Sequence, residues 1–297
     1  MKITWDYNGE ECHLKTFLKQ KGVSRRLSAK IRHEGGKLLV NGFSGRIVDK
    51  ISKGDQVTII LPKEEPRKDA VIPSYVPLDI VYEDEHYLIV NKPAFLTTIP
   101  SPLTKQRTDS LVNRIVGYYN LRKYPQKVVH VTTRLDRDTT GLVLVAKHRY
   151  AHALIDQQQK AHTIKKEYLA LLSGELTNKH FTIDLPIGRL PGSLIKRMVT
   201  LDGQRAKTEY KFIQNVGQAT LYKIRLHTGR THQIRVHSKY LQHPLLGDRL
   251  YGGTKVLPLQ RQALHCAYLS FYHPFLEKEV EFTCALPRDM QQYLNKN

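Results

Sequence analysis

Residues 133–141 contain the side chains best placed for chemistry. The segment reads Thr-Arg-Leu-Asp-Arg-Asp-Thr-Thr-Gly, and the apolar run 142–146 follows it. Asp136 therefore lies in a polar loop that leads into a buried strand, with Arg134 before it and Arg137 after it. Neighbouring guanidinium groups favour the ionised form of a carboxyl. A carboxylate kept ionised among cations suits a nucleophile that faces an anionic substrate such as a nucleic acid.

The same segment resembles the signature of the RluA family of RNA pseudouridine synthases, which is usually His-Arg-Leu-Asp-Arg-x-Thr-Ser-Gly. Thr133 stands at the place of the histidine and Thr140 at the place of the serine. The positions that match are Arg134, Leu135, Asp136, Arg137, Thr139 and Gly141. The resemblance implies that uridine in folded RNA is converted to its carbon-glycoside isomer, with Asp136 as the catalytic carboxylate and Arg134 beside it. Read alone, Asp136 could equally be a turn-capping aspartate.

Two further blocks resemble the same family. The stretch 80–93 resembles its opening strands, although 95–99, which begins with Phe95, differs from the usual Gly and His-Pro continuation. Lys166-Glu167-Tyr168-Leu169-Ala170 resembles the block that supplies an active-site tyrosine, and the resemblance implies that Lys166 contacts RNA. Tyr168 could stack against a flipped uracil and offer its hydroxyl for proton transfer. Taken alone, it is an aromatic residue of a strand in a core.

The blocks 187–208 and 227–237 resemble a basic RNA-contacting insertion and the family's last signature. The resemblance implies RNA contacts from Arg189, Lys196, Arg197 and Arg230. It also implies that Arg235 pairs with Asp136 and orients it. A guanidinium suits that role, because it can hold a carboxylate through two hydrogen bonds and keeps its charge. Without the resemblance, Arg235 would be a solvated cation on a helix.

The composition indicates a polyanionic partner. The chain has 47 lysines and arginines against 27 acids, a net charge of +20, and its 16 tyrosines, 8 phenylalanines and single tryptophan could stack on bases. Charge alone also fits a generically basic protein. The three cysteines are an odd number without regular spacing, which argues against a disulfide framework. No stretch approaches about 18 consecutive apolar residues, so we expect no association with a membrane. We also expect the protein to be cytoplasmic and monomeric and to bind RNA.

Prolines and charges mark a boundary between two domains. Prolines at 62, 66, 73 and 77 alternate with charged residues, and such a segment cannot pack a core. We therefore expect a small domain at 1–63, a linker at 64–76 and a catalytic domain at 77–297. The first domain has apolar residues at helical spacing, with Ser24 placed to cap a second helix, and short strands at 37–41 and 56–61.

The small domain carries 13 lysines and arginines against 6 acids, a net charge of +7. Its second helix bears Arg25, Arg26, Lys30 and Arg32. This pattern resembles the S-four-like RNA-binding domain, and the resemblance implies that these four residues contact RNA. A solvated cationic helix face is the alternative.

The remainder is rich in short strands. The candidate strands are 80–82, 87–90, 128–131, 142–146, 168–172, 181–184, 208–213, 219–226, 264–270 and 280–284, and the candidate helices are 110–119, 150–159, 231–241 and 288–295. Because strands follow one another without regular crossover helices, we expect an α+β fold with a mixed and mostly antiparallel sheet. The family resemblance implies that this is the pseudouridine synthase fold.

Several functions compete with RNA isomerisation. The isomerisation is redox-neutral, so we expect no cofactor and no metal. His227, His232, His237 and His243 could suggest a metal site, but their spacing places successive imidazoles on diverging faces of a helix. A glycosidase or RNA glycosylase would normally need a second carboxylate, and Asp138 is too near in sequence to serve unless the loop folds unusually, so this class stays open. The family resemblance favours modification of large-subunit ribosomal RNA. Modification of transfer RNA and a noncatalytic role in ribosome assembly stay open.

Overall fold

The computed structural model describes residues 1–65, 71–100, 108–176 and 178–296. Its first part is a small sheet with two helices. In chain order the elements are β1 (Lys2–Asp6), β2 (Cys12–His13), α1 (Leu14–Gln20), α2 (Arg25–His33), β3 (Lys37–Val40), β4 (Phe43–Ser44), β5 (Lys50–Ile51) and β6 (Gln56–Ile60). The order β1-β6-β3-β4 forms an antiparallel sheet, and β2 pairs with β5.

Helix α2 forms where the sequence predicts it. The Ser24 hydroxyl accepts a hydrogen bond from the amide of Leu27, which satisfies one of the free donors at the helix start. Leu27 and Ile31 are buried in the core of the small sheet, together with residues of α1. The basic side chains of α2 lie on the opposite, solvent-facing side. The amphipathic pattern therefore fixes which face of the helix stays free.

The second part is built on one large sheet. Its strands are β7 (Ile80–Glu83), β8 (Tyr87–Lys92), β9 (His130–Val131), β10 (Thr140–Ala146), β11 (Lys165–Ser173), β12 (His180–Asp184), β13 (Ile187–Arg189), β14 (Arg197–Val199), β15 (Lys207–Val216), β16 (Ala219–Leu226), β17 (Leu264–His273) and β18 (Lys278–Thr283). The order is β12-β15-β16-β11-β17-β10-β8-β7, with β18 on β17 and β9 on β10. Within the described ranges, neighbours pair antiparallel except β10 and β17. The predicted α+β class with a mixed, mostly antiparallel sheet is confirmed.

Four helices accompany this sheet. They are α3 (Leu111–Leu121), α4 (Arg149–Lys160), α5 (Gln233–Tyr240) and α6 (Arg288–Lys296). α5 begins two residues later than predicted, because His232 adopts a left-handed backbone with φ +60°. α4 has 12 residues, and no helix in the described ranges is long and apolar enough to cross a membrane.

The sequence did not predict every strand. β1 was missed, because five residues that mix charged and apolar side chains give too short a pattern to recognise. The basic region 187–208 was expected to contain a hairpin, and β13 and β14 form it, although their bounds were not predicted. They are three residues each, so their existence depends on pairing across the hairpin rather than on local propensity.

The two parts of the chain touch, which corrects the expectation that the linker separates independent cores. Tyr150 of α4 is 2% exposed and belongs to the apolar core of the first part, where its hydroxyl donates to the Lys21 carbonyl. Its ring meets that of Trp5 edge to face. Burying an aromatic ring of one part in the core of the other couples their stabilities.

The described residues at both ends of the predicted linker also contact the second part of the chain. Glu64 is buried, accepts a hydrogen bond from the Arg149 amide and pairs with His130. Burial by itself raises the pKa of Glu64. The hydrogen bond from His130 and the nearby Arg149 outweigh this effect and lower the pKa to about 2. At the far end the Ser74 amide donates to the Asn113 carbonyl of α3. Residues 66–70 lie outside the described part, and the boundaries at 63 and 76 stay a prediction.

Candidate active site

The loop that carries Asp136 is fixed by hydrogen bonds at two residues that precede the carboxylate. Thr133 is buried, and its hydroxyl accepts from the amide of Leu144 in β10. Leu135 is held by Thr98, whose hydroxyl donates to the Leu135 carbonyl and accepts from the Leu135 amide. Thr133 thus has a structural role at the place where the family commonly has histidine. The backbone around Asp136 is held in one conformation before any substrate binds.

A buried lysine supports this loop from below. Lys92, at the end of β8, is fully buried, and its ammonium donates to the carbonyls of Pro93, Leu96 and Arg137. Burial lowers its pKa to about 7. The three carbonyls satisfy every donor of the ammonium group, so Lys92 ties the turn after β8 to the residue next to Asp136.

Strand register places Tyr168 level with Gly141, where the Asp136 loop enters the sheet. Gly141 of β10 and Tyr168 of β11 both pair with Cys266 of β17, from opposite sides. Gly141 has φ +112°, and a Cβ there would lie 2.2 Å from the Cys266 carbonyl oxygen, so only glycine allows the two strands to approach. The residues that follow Asp136 therefore enter the sheet level with Tyr168.

Arg235 holds Asp136 and a second carboxylate. Its Nη1 donates to Asp136 Oδ2 at 3.2 Å, so the predicted contact is present. Two stronger bonds go to Asp248, from Nε at 2.7 Å and from Nη2 at 2.8 Å. The predicted two-bond geometry therefore exists, but its partner is Asp248 and not Asp136. Although burial lowers the pKa of Arg235, the bonds to Asp248 raise it above its ordinary value.

His232 gives Asp136 a second neighbour. Its Nε2 lies 3.7 Å from Asp136 Oδ2, and its Nδ1 lies 2.8 Å from the Tyr251 hydroxyl. The Tyr251 oxygen also accepts from the Arg197 amide, so Tyr251 links His232 to the β13–β14 hairpin. Burial lowers the pKa of His232, which keeps the ring neutral.

A cavity of about 500 Å³ opens beside Asp136 and unites six of the predicted residues. They are Arg134, Asp136, Lys166, Tyr168, Arg230 and Arg235. Tyr168 is buried, and burial raises its pKa well above the ordinary value of 10.0. The half-buried Lys166 has a lowered pKa for the same reason. The cavity thus combines the Asp136 carboxylate, cations that can hold phosphate and a phenol that stays protonated. A second carboxylate in its lining, Asp156, pairs with Lys160 at 2.6 Å.

The four histidines considered as metal ligands have separate protein partners. His227 pairs with Glu209 at 2.9 Å, and His237 is bound between Thr208 and the Leu185 carbonyl. His243 contacts the Ser173 carbonyl at 2.6 Å. In residues 1–65, 71–100, 108–176 and 178–296, no three His, Cys, Asp or Glu side chains are grouped as a metal site would require.

Comparison with known proteins decides the family. Residues 86–240 match the family described as RNA pseudouridylate synthase. The chain is 41% identical to the protein named "Uncharacterized RNA pseudouridine synthase YjbO" of Bacillus subtilis (strain 168), over 95% of this chain and 98% of that relative. The chain belongs to the RNA pseudouridine synthases. It is an isomerase of the RluA family, as its signature indicates.

A second relative supports this assignment, and a solved structure shows the fold. The synthase is 38% identical to "Ribosomal large subunit pseudouridine synthase D" of Zymomonas mobilis, over 82% of this chain and 79% of the relative. The solved structure "Human RNA Pseudouridylate Synthase Domain Containing 4" has 22% identity and a TM-score of 0.59, and covers 73% of this chain and 92% of its own. That likeness shows the pseudouridine synthase fold.

The other predicted RNA contacts of the synthase lie on two separate elements. Arg25, Arg26 and Arg32 are exposed on α2, and the half-buried Lys30 pairs with Glu34 at 2.8 Å. Arg189 and Lys196 are exposed on the β13–β14 hairpin, where Arg197 is half-buried. The structure groups the thirteen predicted residues into a cavity set, a helix set and a hairpin set.

Residues that the sequence did not reveal complete the synthase site. They are Lys92, Thr98, His232, Tyr251 and Asp248. Tyr251 packs its ring 5.0 Å from the guanidinium carbon of Arg235, and Asp248 is buried beneath the same group. His232 and Tyr251 lie within or near recognisable blocks, but Asp248, between Gly247 and Arg249, carries no motif that would single it out.

Proposed function

We propose that this pseudouridine synthase modifies uridine in large-subunit ribosomal RNA and that Asp136 is its essential carboxylate. The observation that carries the proposal is the position of Asp136: a loop with both flanks bound presents it to a cavity lined by Tyr168 and cations, with Arg235 at 3.2 Å. A turn-capping aspartate would direct its carboxylate to nearby amides.

The chemistry needs little more than this site provides. The bond between uracil N1 and the sugar C1′ breaks, the base turns over, and C5 bonds to C1′. The proton on C5 leaves and N1 gains one, so no electrons are exchanged. Asp136 acts as nucleophile or base in this reaction, and Arg235 keeps its carboxylate oriented. The detached uracil must stay in the cavity until its C5 bonds to C1′.

Tyr168 and Lys166 have different parts in this mechanism. The Tyr168 ring forms a wall against which the uracil stacks, and its protonated hydroxyl donates to the base or to Asp136. Lys166 and Arg230 hold backbone phosphates near the target, since phosphate contacts supply most of the affinity for RNA. Arg134, exposed at the mouth of the cavity, lies where the RNA backbone must pass.

The choice of ribosomal RNA rests on relatives and charge. A Zymomonas mobilis relative is named for the large ribosomal subunit, and α2 of this chain presents an exposed basic face for structured RNA. The family membership argues for an enzyme over a noncatalytic assembly factor. The cytoplasmic location and the monomeric state stay predictions.

Pseudouridine mapping tests the proposal. Total RNA from cells with and without this protein should differ at one or a few positions of the large-subunit ribosomal RNA. Restoring the wild-type protein should restore those positions, and the Asp136→Asn variant should not. Differences confined to transfer RNA would refute the ribosomal target but leave the enzyme intact. Release of free uracil from the RNA would instead indicate a glycosylase.

A further inference from the structure

A second cavity lies on the other side of Asp136. Its volume is about 900 Å³, and it shares Arg134, Asp136, His232 and Arg235 with the first cavity. The two cavities therefore meet at the reacting carboxylate. A nucleotide chain that places its uridine in one of them has room for a neighbouring residue in the other.

The mouth of the second cavity is apolar and exposed. Phe95, Ile99 and Ile195 line it, and they are 60%, 50% and 54% exposed. Exposed apolar groups that share the rim of one concave site favour a ligand with a flat apolar surface. Arg137 lines the same cavity but is bound to Asp138 through two hydrogen bonds. Arg134 and Arg249 also line it and are exposed, so the ligand that fits is also anionic.

Phe95 is held in a conformation that its side chain disfavours. Its φ is +61°, in the left-handed region that glycine adopts freely and a bulky residue rarely does. The surrounding structure enforces this conformation. The Lys92 ammonium binds the carbonyls of Pro93 and Leu96 on either side, and the Leu96 side chain is buried. A strained and exposed ring next to a reacting group is a feature of functional sites.

We propose that the second cavity receives the base of a nucleotide adjacent to the target uridine and that this base stacks on Phe95. The proposal rests on the proposed function. A base has the flat apolar face that Phe95 and Ile195 match, and the phosphates of its nucleotide match Arg134 and Arg249. Unstacked neighbours are expected when a uridine is flipped out of a folded RNA. Phe95 is thereby a residue that positions the RNA strand beside the target uridine, whichever base stacks on it.

Tritium release from RNA transcribed with [5-³H]uridine provides the assay, since each isomerisation frees the hydrogen on C5. The probes are unmodified bacterial large-subunit ribosomal RNA and a transfer RNA pool, with the full-length protein. Phe95→Gly should raise KM about tenfold or more, leave kcat within about threefold, and leave the salt dependence of binding unchanged, because it removes stacking and no bond to phosphate. Phe95→Leu should fall between. Tyr272→Leu, which removes an exposed ring of β17 outside both cavities, is the matched control.

An abasic nucleotide on either side of the modified uridine identifies the partner. One of the two abasic substitutions should raise the KM of the wild type and remove the difference in KM between the wild type and Phe95→Gly. If that difference in KM remains with both abasic RNAs, or if Phe95→Gly has the wild-type KM on intact RNA, the stacking proposal is wrong. If the wild type releases no tritium from either RNA, the proposed function itself fails, and the two failures are thereby distinguished. Because glycine relieves the left-handed strain, Phe95→Gly should unfold at or above the wild-type temperature, which excludes misfolding.

Discussion

Arg235 is bound to Asp248 through two hydrogen bonds of 2.7 and 2.8 Å, from Nε and Nη2 to the two carboxylate oxygens. Both side chains are buried. This fork leaves only Nη1 for Asp136, at 3.2 Å. The guanidinium is therefore positioned by α5 and the segment after it, independently of the Asp136 loop. Asp248 is a positioning residue that acts on the reaction through Arg235.

Asp248→Asn should reduce both stability and turnover. It leaves a buried guanidinium without its full counter-charge, which costs about 3 kcal/mol of unfolding free energy. Loosening Arg235 should lower kcat about tenfold or more, with a smaller change in KM, because orientation of the reacting group is lost. Denaturant unfolding and tritium release measure the two effects.

The control for Asp248→Asn is Glu64→Gln, which removes a buried carboxylate paired with Arg149 and His130 and remote from both cavities. It should lose stability but keep kcat. Equal kcat in both variants would show that Asp248 is only structural.

Tyr168→Phe should impair turnover far more than binding. The ring remains to stack while the hydroxyl is lost, and we expect kcat to fall about 100-fold with KM within a few-fold. Because burial raises the pKa of Tyr168 well above 10, its phenol stays protonated, and the wild-type rate should show no inflection from it below pH 10. The control is Tyr210→Phe, which changes a different buried tyrosine, in β15, and should leave kcat unchanged. Full turnover in Tyr168→Phe would reduce its role to stacking.

Replacing Arg25, Arg26 and Arg32 together by alanine should weaken RNA binding without slowing the chemical step. The slope of log affinity against log salt should become shallower by about 0.9 for each duplex phosphate that the variant no longer binds. Turnover at saturating RNA should match the wild type. Lys15→Ala with Lys19→Ala, two exposed cations on α1, provides the comparison. An equal weakening per charge in both sets would show that α2 is not a specific RNA-binding element.

His148 should make the protein sensitive to acid. It is 1% exposed, its Nδ1 accepts from the Ala151 amide, and its Nε2 lies 3.0 Å from His86 Nδ1. Burial lowers its pKa to about 3, so the unfolded chain takes up a proton first as the pH falls. The contribution of His148 is complete above about pH 6.5 and shrinks by about 2 kcal/mol by pH 5.

His148→Asn retains a side-chain oxygen for the Ala151 amide and cannot titrate. Urea unfolding between pH 6.5 and 5 should therefore show a flatter pH dependence in the variant. An unchanged dependence would mean that His148 already binds its proton in the folded protein.

The predictable part of the site is the part that local sequence specifies. Asp136, Tyr168 and Arg235 each lie in a contiguous block, and their elements follow from period and turn residues. The N-cap Ser24 and the apolar stripe of α2 are local in the same way. Such features can be predicted without knowing which residues are neighbours in space.

The unpredicted part depends on partners distant in sequence. Lys92 meets the Arg137 carbonyl across 45 positions, and Thr98 meets Leu135 across 37. Tyr150 enters the core of the first part through a hydrogen bond with Lys21, 129 positions away. Asp248 was missed because Arg235 has two carboxylates in reach, and only packing decides which receives the two-bond geometry.

The most direct measurement is tritium release by Asp136→Asn from ribosomal RNA that the wild type modifies. We predict complete loss of release, with RNA affinity within a few-fold of wild type, because one carboxylate is removed from a surface whose binding energy comes from cations. Asp184→Asn, at an aspartate that also pairs with an arginine but lies outside both cavities, should keep full activity. Residual turnover of Asp136→Asn above a few per cent of wild type would contradict the assignment of Asp136 as the essential carboxylate.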